Sequence, residues 1–238
     1  MRLPAPLIQG ILERRYKRFL ADIHLDDGSL VTAHCPNPGS MLGLADPGRS
    51  VWLSRSADPR RKLPFSLELV EVDIGSGPAL VGINTSHPNR LVAEALETGA
   101  IAELAGYDRV RREVRYGHRS RVDFVLQGDG RPDCYVEVKN VHLMRRPGLA
   151  EFPDSVTARG ARHLDELSHV ARSGQRAVML FVVQRADAAG VALAGDLDPA
   201  YQDAFARAAE AGVETLAYRC DVGRTEIVVA GALPFTPP

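Results

Sequence analysis

Residues 177–183 read Ala-Val-Met-Leu-Phe-Val-Val, apolar at every position. A strand turns successive side chains to opposite faces, so this run is stable only where both faces are covered. The chain must therefore contain a sheet with material packed on both sides, the α/β arrangement. The neighbouring segments supply the cover. Residues 155–172 place Leu164, Leu167, Val170 and Ala171 on one helical face and stop before Gly174. Asp198 and Pro199 are an N-cap and first residue for a second helix running to Gly212. Residues 89–97 form a shorter helix pattern ended by Gly99. Residues 110–116, 121–126, 134–141, 213–218 and 226–229 read as further strands, giving a mixed sheet with flanking helices over residues 85–238.

The first third has a different character. Phe19, Ala21, Ile23 and Leu25 alternate with Leu20, Asp22 and His24, so Phe19 falls on the core-like parity. Asp26-Asp27-Gly28-Ser29 reverses the chain, and residues 30–35 run back as a hairpin. Residues 51–54, 67–74 and 80–84 are three more strands. They are separated by Pro36-Asn37-Pro38-Gly39, Asp46-Pro47-Gly48 and Gly75-Ser76-Gly77-Pro78. Five short strands with almost no helical periodicity suit an OB-like barrel, among other small barrels, over residues 1–84. The expected boundary lies at residues 84–88.

Bulk properties narrow the function little. Lys and Arg number 29 and Asp and Glu 30, so any cationic surface must be local. Cys35, Cys134 and Cys220 are far apart, with no zinc spacing, and read as buried thiols of an intracellular protein. His34 and Cys35 are adjacent in a strand, point to opposite faces, and form no dyad. The N-terminus carries no signal-peptide pattern and no apolar run is long enough to span a bilayer, so a cytoplasmic location is expected.

Chemistry concentrates in two consecutive strands. In Arg121-Val122-Asp123-Phe124-Val125-Leu126, alternation separates Asp123 from Val122, Phe124 and Leu126. After a turn-rich loop comes Tyr135-Val136-Glu137-Val138-Lys139, where Glu137 and Lys139 share a face about 6.7 Å apart. If the strands pair, Asp123 and Glu137 converge. Two carboxylates and the Val138 carbonyl are hard oxygen donors suited to Mg²⁺ (or Mn²⁺), and Lys139 can orient a water or balance phosphoryl charge.

These residues carry a resemblance. RVDF followed by YVEVKNV resembles the PD-(D/E)xK nuclease core. More narrowly, the chain resembles the sugar fermentation stimulation protein A (SfsA) family through an ordered set of stretches. These are RRYKRFLAD (14–22), HCPNPGSM (34–41), NRLVAEAL (89–96), SRVDFVL (120–126), RPDCYVEVKNVHL (131–143), FPDSVTARGARHLDEL (152–167) and GQRAVMLFVV (174–183). The resemblance implies an OB-fold followed by a PD-(D/E)xK-type domain, DNA binding without sequence specificity, and a regulatory role in sugar (maltose) metabolism; it also makes Glu94, on the helix before the sheet, a further candidate metal ligand. Pro38 and Ser40 depart from the family pattern, where Thr and Ala are expected, without touching Asp123, Glu137 or Lys139.

Candidate phosphate contacts are Arg15, Lys17, Arg18, Arg61 and Lys62 on the barrel. On the second unit they are Arg112, Arg115 and Arg121, in an arginine-rich stretch that also holds Arg109, Arg111 and Arg119, with Arg159 and His163 on the helix beyond. Tyr16, Phe19 and Trp52 are barrel aromatics that suit either core or stacking. His142 reads as an ordinary loop residue. Two functions follow: Mg²⁺-dependent phosphodiester hydrolysis by Asp123, Glu137 and Lys139, or a non-catalytic DNA-binding regulator built on the same fold. No sugar-binding pattern supports a third, metabolic reading.

Overall fold

The computed structural model describes residues 1–4, 6–75, 77–117 and 120–238. Ser76, in one of the turn clusters, and Arg119, in the arginine-rich stretch, lie outside the described residues.

The N-terminal unit is built from β1 (Ile8–Tyr16), β2 (Leu20–Leu25), β3 (Leu30–His34), β4 (Ser50–Arg55), β5 (Phe65–Asp73) and β6 (Pro78–Gly82). Their order is β3-β2-β1-β4-β5-β6, and β3 also pairs in parallel with β5 at His34↔Ser66. That contact closes β1 to β5 into the five-stranded barrel of an OB-fold. The second edge of β5 is thus shared, with β3 at Ser66 and with β6 from Leu69 onward. The barrel was expected from the wrong five strands. Residues 80–84 contribute β6, which lies outside the closed circuit, and the missing member is β1. Its alternation is hidden by Gly10, by a register shift between Leu12 and Arg14, and by the charges of Glu13, Arg14 and Arg15. Gly10 is required there, because a Cβ would lie 2.6 Å from Ile23 Cγ2 and 2.7 Å from the His24 carbonyl. The Lys17-Arg18 turn has φ of 48° and 65°, a left-handed pair that suits a tight hairpin.

Helix α1 (Pro88–Glu97) opens the second unit, followed by β7 (Arg109–Tyr116), β8 (Ser120–Gln127) and β9 (Cys134–Val141). Then come β10 (Leu143–Arg146), β11 (Leu149–Phe152), α2 (Ala158–Arg172), β12 (Arg176–Val183), β13 (Gly190–Leu193), α3 (Pro199–Glu210), β14 (Glu214–Val222), β15 (Ile227–Ala232) and β16 (Phe235–Thr236). The main sheet has the order β15-β14-β12-β9-β8-β7, with β12 parallel to both β14 and β9. The apolar strand is central, as its sequence demands. A second sheet, β10-β11-β13-β16, was not anticipated; all four of its strands have four residues or fewer, too brief for a periodic signal.

On one face, Val178, Leu180 and Val182 of β12 join Phe124, Val136, α1 and the barrel residues Trp52 and Leu69 in one cluster. On the other, Met179, Phe181 and Val183 meet α2, α3 and the short sheet. Each fully buried Val, Leu or Phe contributes about 1.5–3 kcal/mol, and this sum offsets the burial of charge between β9 and α2. A third cluster fills the barrel. Among the described residues no helix is long and apolar enough to cross a membrane.

Candidate metal and nucleic-acid site

The pairing of β8 with β9 runs from Leu126↔Cys134 to Phe124↔Val136 and stops there. One position further, Asp123 substitutes its side chain for the ladder: Oδ2 accepts the Val138 amide at 2.8 Å. Oδ1 accepts the side-chain amide of Asn89, in the first turn of α1, at 2.7 Å. Asn89 also comes within 3.5 Å of Glu113 Oε1, and Glu113 sits opposite Asp123 in the β7–β8 ladder with a left-handed φ of 52°. Burial, followed by the charge of Glu137, raises the Asp123 pKa against the pull of these donors.

Glu137 is 2% exposed. Its register partner in β12 is Met179, and Lys139 stands beside Phe181. Oε1 accepts from Lys139 Nζ at 2.7 Å and also contacts His163 Nδ1. Arg159 Nε donates to His163 Nε2 at 3.3 Å, which assigns the ring proton to Nδ1, facing Glu137, although Lys139 Nζ also lies 3.2 Å from Nδ1. Burial pushes the Glu137 carboxyl up, but contact with His163, then Lys139, outweighs it and its pKa lies below the ordinary value. Oε2 is buried with no hydrogen-bond partner among the described residues. Tyr116 and Tyr201 present buried, unpaired hydroxyls, and the Glu137 charge adds to burial in raising both phenol pKa values.

Beside this cluster a cavity of about 670 Å³ opens, lined by Glu113, Arg121, Arg159, Arg162, His163 and His169 among others. The ladder places Arg115 opposite Arg121, on the same parity as Glu113 and Asp123. Arg112 has the other parity and lies over the Phe124 ring at 5.7 Å, so it turns away from the cavity. His163 is a member of the carboxylate cluster rather than a surface phosphate contact.

Other expectations are corrected. Glu94 is no ligand here: its carboxylate pairs with the N-terminal ammonium at 2.6 Å. Five residues after Asn89 it points about 140° around the helix, so the residue that α1 delivers is Asn89. Arg15 is no free cation, since its guanidinium donates to the carbonyls of Arg18, Asn37, Gly39 and Ser40 and clamps that loop. Lys17, Arg18, Arg61 and Lys62 are exposed, with Arg18 donating to the Pro38 carbonyl and Arg61 to Ser66. Trp52 is core, at 2% exposure, whereas Phe19 stands in solvent. His142 is buried, not a loop surface, and bonds Asn140 at 3.1 Å and Asp154 at 3.2 Å. Asn89 and Glu113 carried no sequence signal of their own; both act through pairings remote in the chain.

A site holding a divalent cation is compatible with these residues. Among the described residues no three His, Cys, Asp or Glu side chains converge on one point. A cation would rest on Asp123 and the unpaired oxygen of Glu137, completed by backbone oxygen and water.

Comparison with known proteins places the chain among relatives. A family described as "Sugar fermentation stimulation protein RE domain" matches residues 86–226, and "SfsA N-terminal OB domain" matches residues 14–83. Curated sugar fermentation stimulation protein homologs from Azorhizobium caulinodans and Methylobacterium nodulans are each 56% identical over 235 residues, covering 99% of this chain and 99% of the relative. A solved structure of Pyrococcus furiosus SfsA in complex with Ca²⁺ superposes with a TM-score of 0.86 at 27% identity, over 99% of this chain and 98% of that one.

Proposed function

The chain belongs to the sugar fermentation stimulation protein family, and we propose that it is a DNA-binding protein whose second unit is a metal-dependent phosphodiesterase acting without sequence preference. The observation that carries this is Glu137 Oε2, without a hydrogen-bond partner among the described residues, on a carboxylate 2% exposed, next to a second, half-buried carboxylate and a lysine. Burying such charges costs several kcal/mol each, which a structural role leaves unrewarded and a cation-binding role explains. The Ca²⁺ in the Pyrococcus relative supports a divalent ion, and Mg²⁺ or Mn²⁺ is the ion proposed here.

Asp123 and Glu137 would hold the cation, with the Val138 carbonyl completing the set. When bound, it supplies Lewis acidity and a lowered pKa for a coordinated water. The protein's own groups do the rest. Lys139 sits where its ammonium can leave Glu137 to balance phosphoryl charge or orient a water. The Asn89 amide and the Val138 N–H fix Asp123 from two directions. His163 holds Glu137 in place through a proton on Nδ1. Arg121, Arg159 and Arg162 line the cavity as phosphate contacts, which position DNA without reading bases.

The test is cleavage of supercoiled plasmid and of single-stranded DNA with Mg²⁺ or Mn²⁺ against EDTA. Glu137→Gln and Lys139→Ala each lower the metal-dependent rate by about 100-fold or more. Cutting that persists unchanged in both variants comes from a contaminant and sinks the proposal. A second reading has one observation in its favour: Lys139 and His163 already satisfy Glu137 Oε1, so the cluster is stable on its own. The protein would then be a non-catalytic regulator, in sugar (maltose) metabolism as the family resemblance suggests, and would bind DNA with a steep salt dependence but never cut it.

A further inference from the structure

The barrel carries a surface feature that the carboxylate cavity does not use. Of seven Phe, six Tyr and one Trp in the chain, Phe19 alone is exposed, at 45%. It follows the Lys17-Arg18 turn, whose left-handed pair of residues brings the hairpin back on itself. Its ring stacks on His34, with centroids 6.5 Å apart and planes at 22°. Leu20 and His34 are register partners across β2 and β3, so the stack lies over the start of that pair, where β3 also closes the barrel. Burial and the neighbouring Arg61 charge hold the His34 pKa below its ordinary value. The pair therefore presents an uncharged aromatic surface at neutral pH.

The surroundings are of one sign. Lys17 and Arg18 flank Phe19 from the β1–β2 turn, and Arg61, which adjoins Lys62 in the β4–β5 loop, is close enough to His34 for its charge to act on it. Arg60 and Arg14 are neutralised by Asp58 and Asp22. Among the described residues none of Lys17, Arg18, Arg61 and Lys62 forms an ion pair. An exposed ring costs free energy unless something covers it, and four cations that form no ion pair among the described residues exclude a basic partner. A flat uncharged face bordered by cations fits a ligand with flat bases on a phosphate backbone. A duplex keeps its bases stacked inside and offers such a face only phosphates; an unpaired strand offers both.

The feature is linked to the carboxylate site. Arg18 lines a second cavity, of about 300 Å³, whose lining also includes Val156 and Thr157. Thr157 caps α2, and Arg159, two residues on, lines the carboxylate cavity. Stacking pair, groove and cavity thus follow one another around the start of α2.

We propose that Phe19 and His34 form a stacking step for unpaired bases, and that the substrate class is DNA with a single-stranded stretch adjoining duplex. This rests on the second unit being the DNA-binding and cutting part. The test is fluorescence anisotropy of the full chain in EDTA, with labelled oligothymidylate, a blunt duplex, and the same duplex bearing a thymidylate overhang. Phe19→Ala weakens binding of the single strand and the overhang duplex by about 5- to 100-fold, changes blunt-duplex binding less than two-fold, and Phe19→Trp restores the loss. Phe19 is exposed, so thermal unfolding of the variant matches that of the wild type. An equal loss on the blunt duplex, or no loss on the single strand, overturns the stacking step. Stronger competition by oligouridylate than by oligothymidylate overturns the assignment to DNA. Metal-dependent cutting of blunt duplex is scored separately and survives Phe19→Ala, so failure here is distinct from failure of the nuclease proposal.

Discussion

The buried pair His87 and Glu68 shows how much of this molecule's charge is suppressed rather than used. His87 Nε2 lies 3.4 Å from Glu68 Oε2, close enough to be taken for an ion pair. The two pKa shifts say otherwise. Burial lowers His87 to about 4, helped by Arg90 and the N-terminal ammonium, and burial raises Glu68 despite its bonds to Ser54 and Asn84. Both groups move toward neutrality, and we treat them as a neutral contact. For His87 the folded pKa is below the unfolded one. The unfolded chain therefore takes up a proton near pH 6.5 that the folded chain refuses until about pH 4. Stability falls as pH drops through that window, by about 3 kcal/mol. His87→Asn should flatten the loss of Tm between pH 7 and 4, measured by circular dichroism; an unchanged slope would assign the loss elsewhere. The residues of the candidate site were legible at this scale because a strand's period of two sorts Asp123, Glu137 and Lys139 without knowledge of the fold. Asn89 was not, since helix-to-strand contacts obey no local period, and Glu94 drew attention through the nuclease resemblance, as an acid on the helix before the sheet.

Of the helix starts, that of α3 was legible from Asp198 and Pro199, whereas α2 begins at Ala158, three residues after the expected start at 155. Thr157 caps α2 by accepting the Gly160 amide at 3.1 Å, and Asp198 caps α3 by accepting the Tyr201 amide at 3.0 Å. Asp198 does more than its sequence position promises, because its other oxygen accepts the Thr157 amide at 2.7 Å. One side chain, 3% exposed, thus fixes the start of both helices. Asp198→Ala should cost about 2 kcal/mol in urea unfolding, against about 1 kcal/mol for Thr157→Ala. Equal costs would show that the second bond contributes nothing. The strands were less legible. Long ones such as β9 and β12 declare themselves by pattern, whereas β1 is disguised by its bulge and charges. The short sheet β10-β11-β13-β16 gains its identity from packing, with Ala150 and Val191 buried in the α2–α3 cluster.

At the scale of the molecule, two units legible as separate stretches of composition turn out to be joined through backbone. The amide of Gly82, at the end of β6, donates to the Gln184 carbonyl just past β12 at 2.9 Å, and Val81 bridges Arg185. Asp154 accepts the Met41 amide at 3.0 Å and its own carbonyl accepts from Ser40. Gly39 is glycine because a Cβ there would collide with the Asp154 carboxylate. Trp52 and Leu69 complete the core beneath the main sheet. A chain beginning at residue 85 should therefore expose apolar surface and unpaired backbone, bind a hydrophobic dye and aggregate; a soluble, cooperatively melting fragment would show the joint to be dispensable.

The hydrogen bonds from β6 to the end of β12 have a consequence for measurement of length. A barrel on a flexible tether would sample many separations from the carboxylates, but one stitched to the central strand is held at a single span. If unpaired bases dock on the barrel and phosphate is cut beside Glu137, the protein acts as a ruler, and its graduation is set by backbone geometry rather than by the sequence of the DNA.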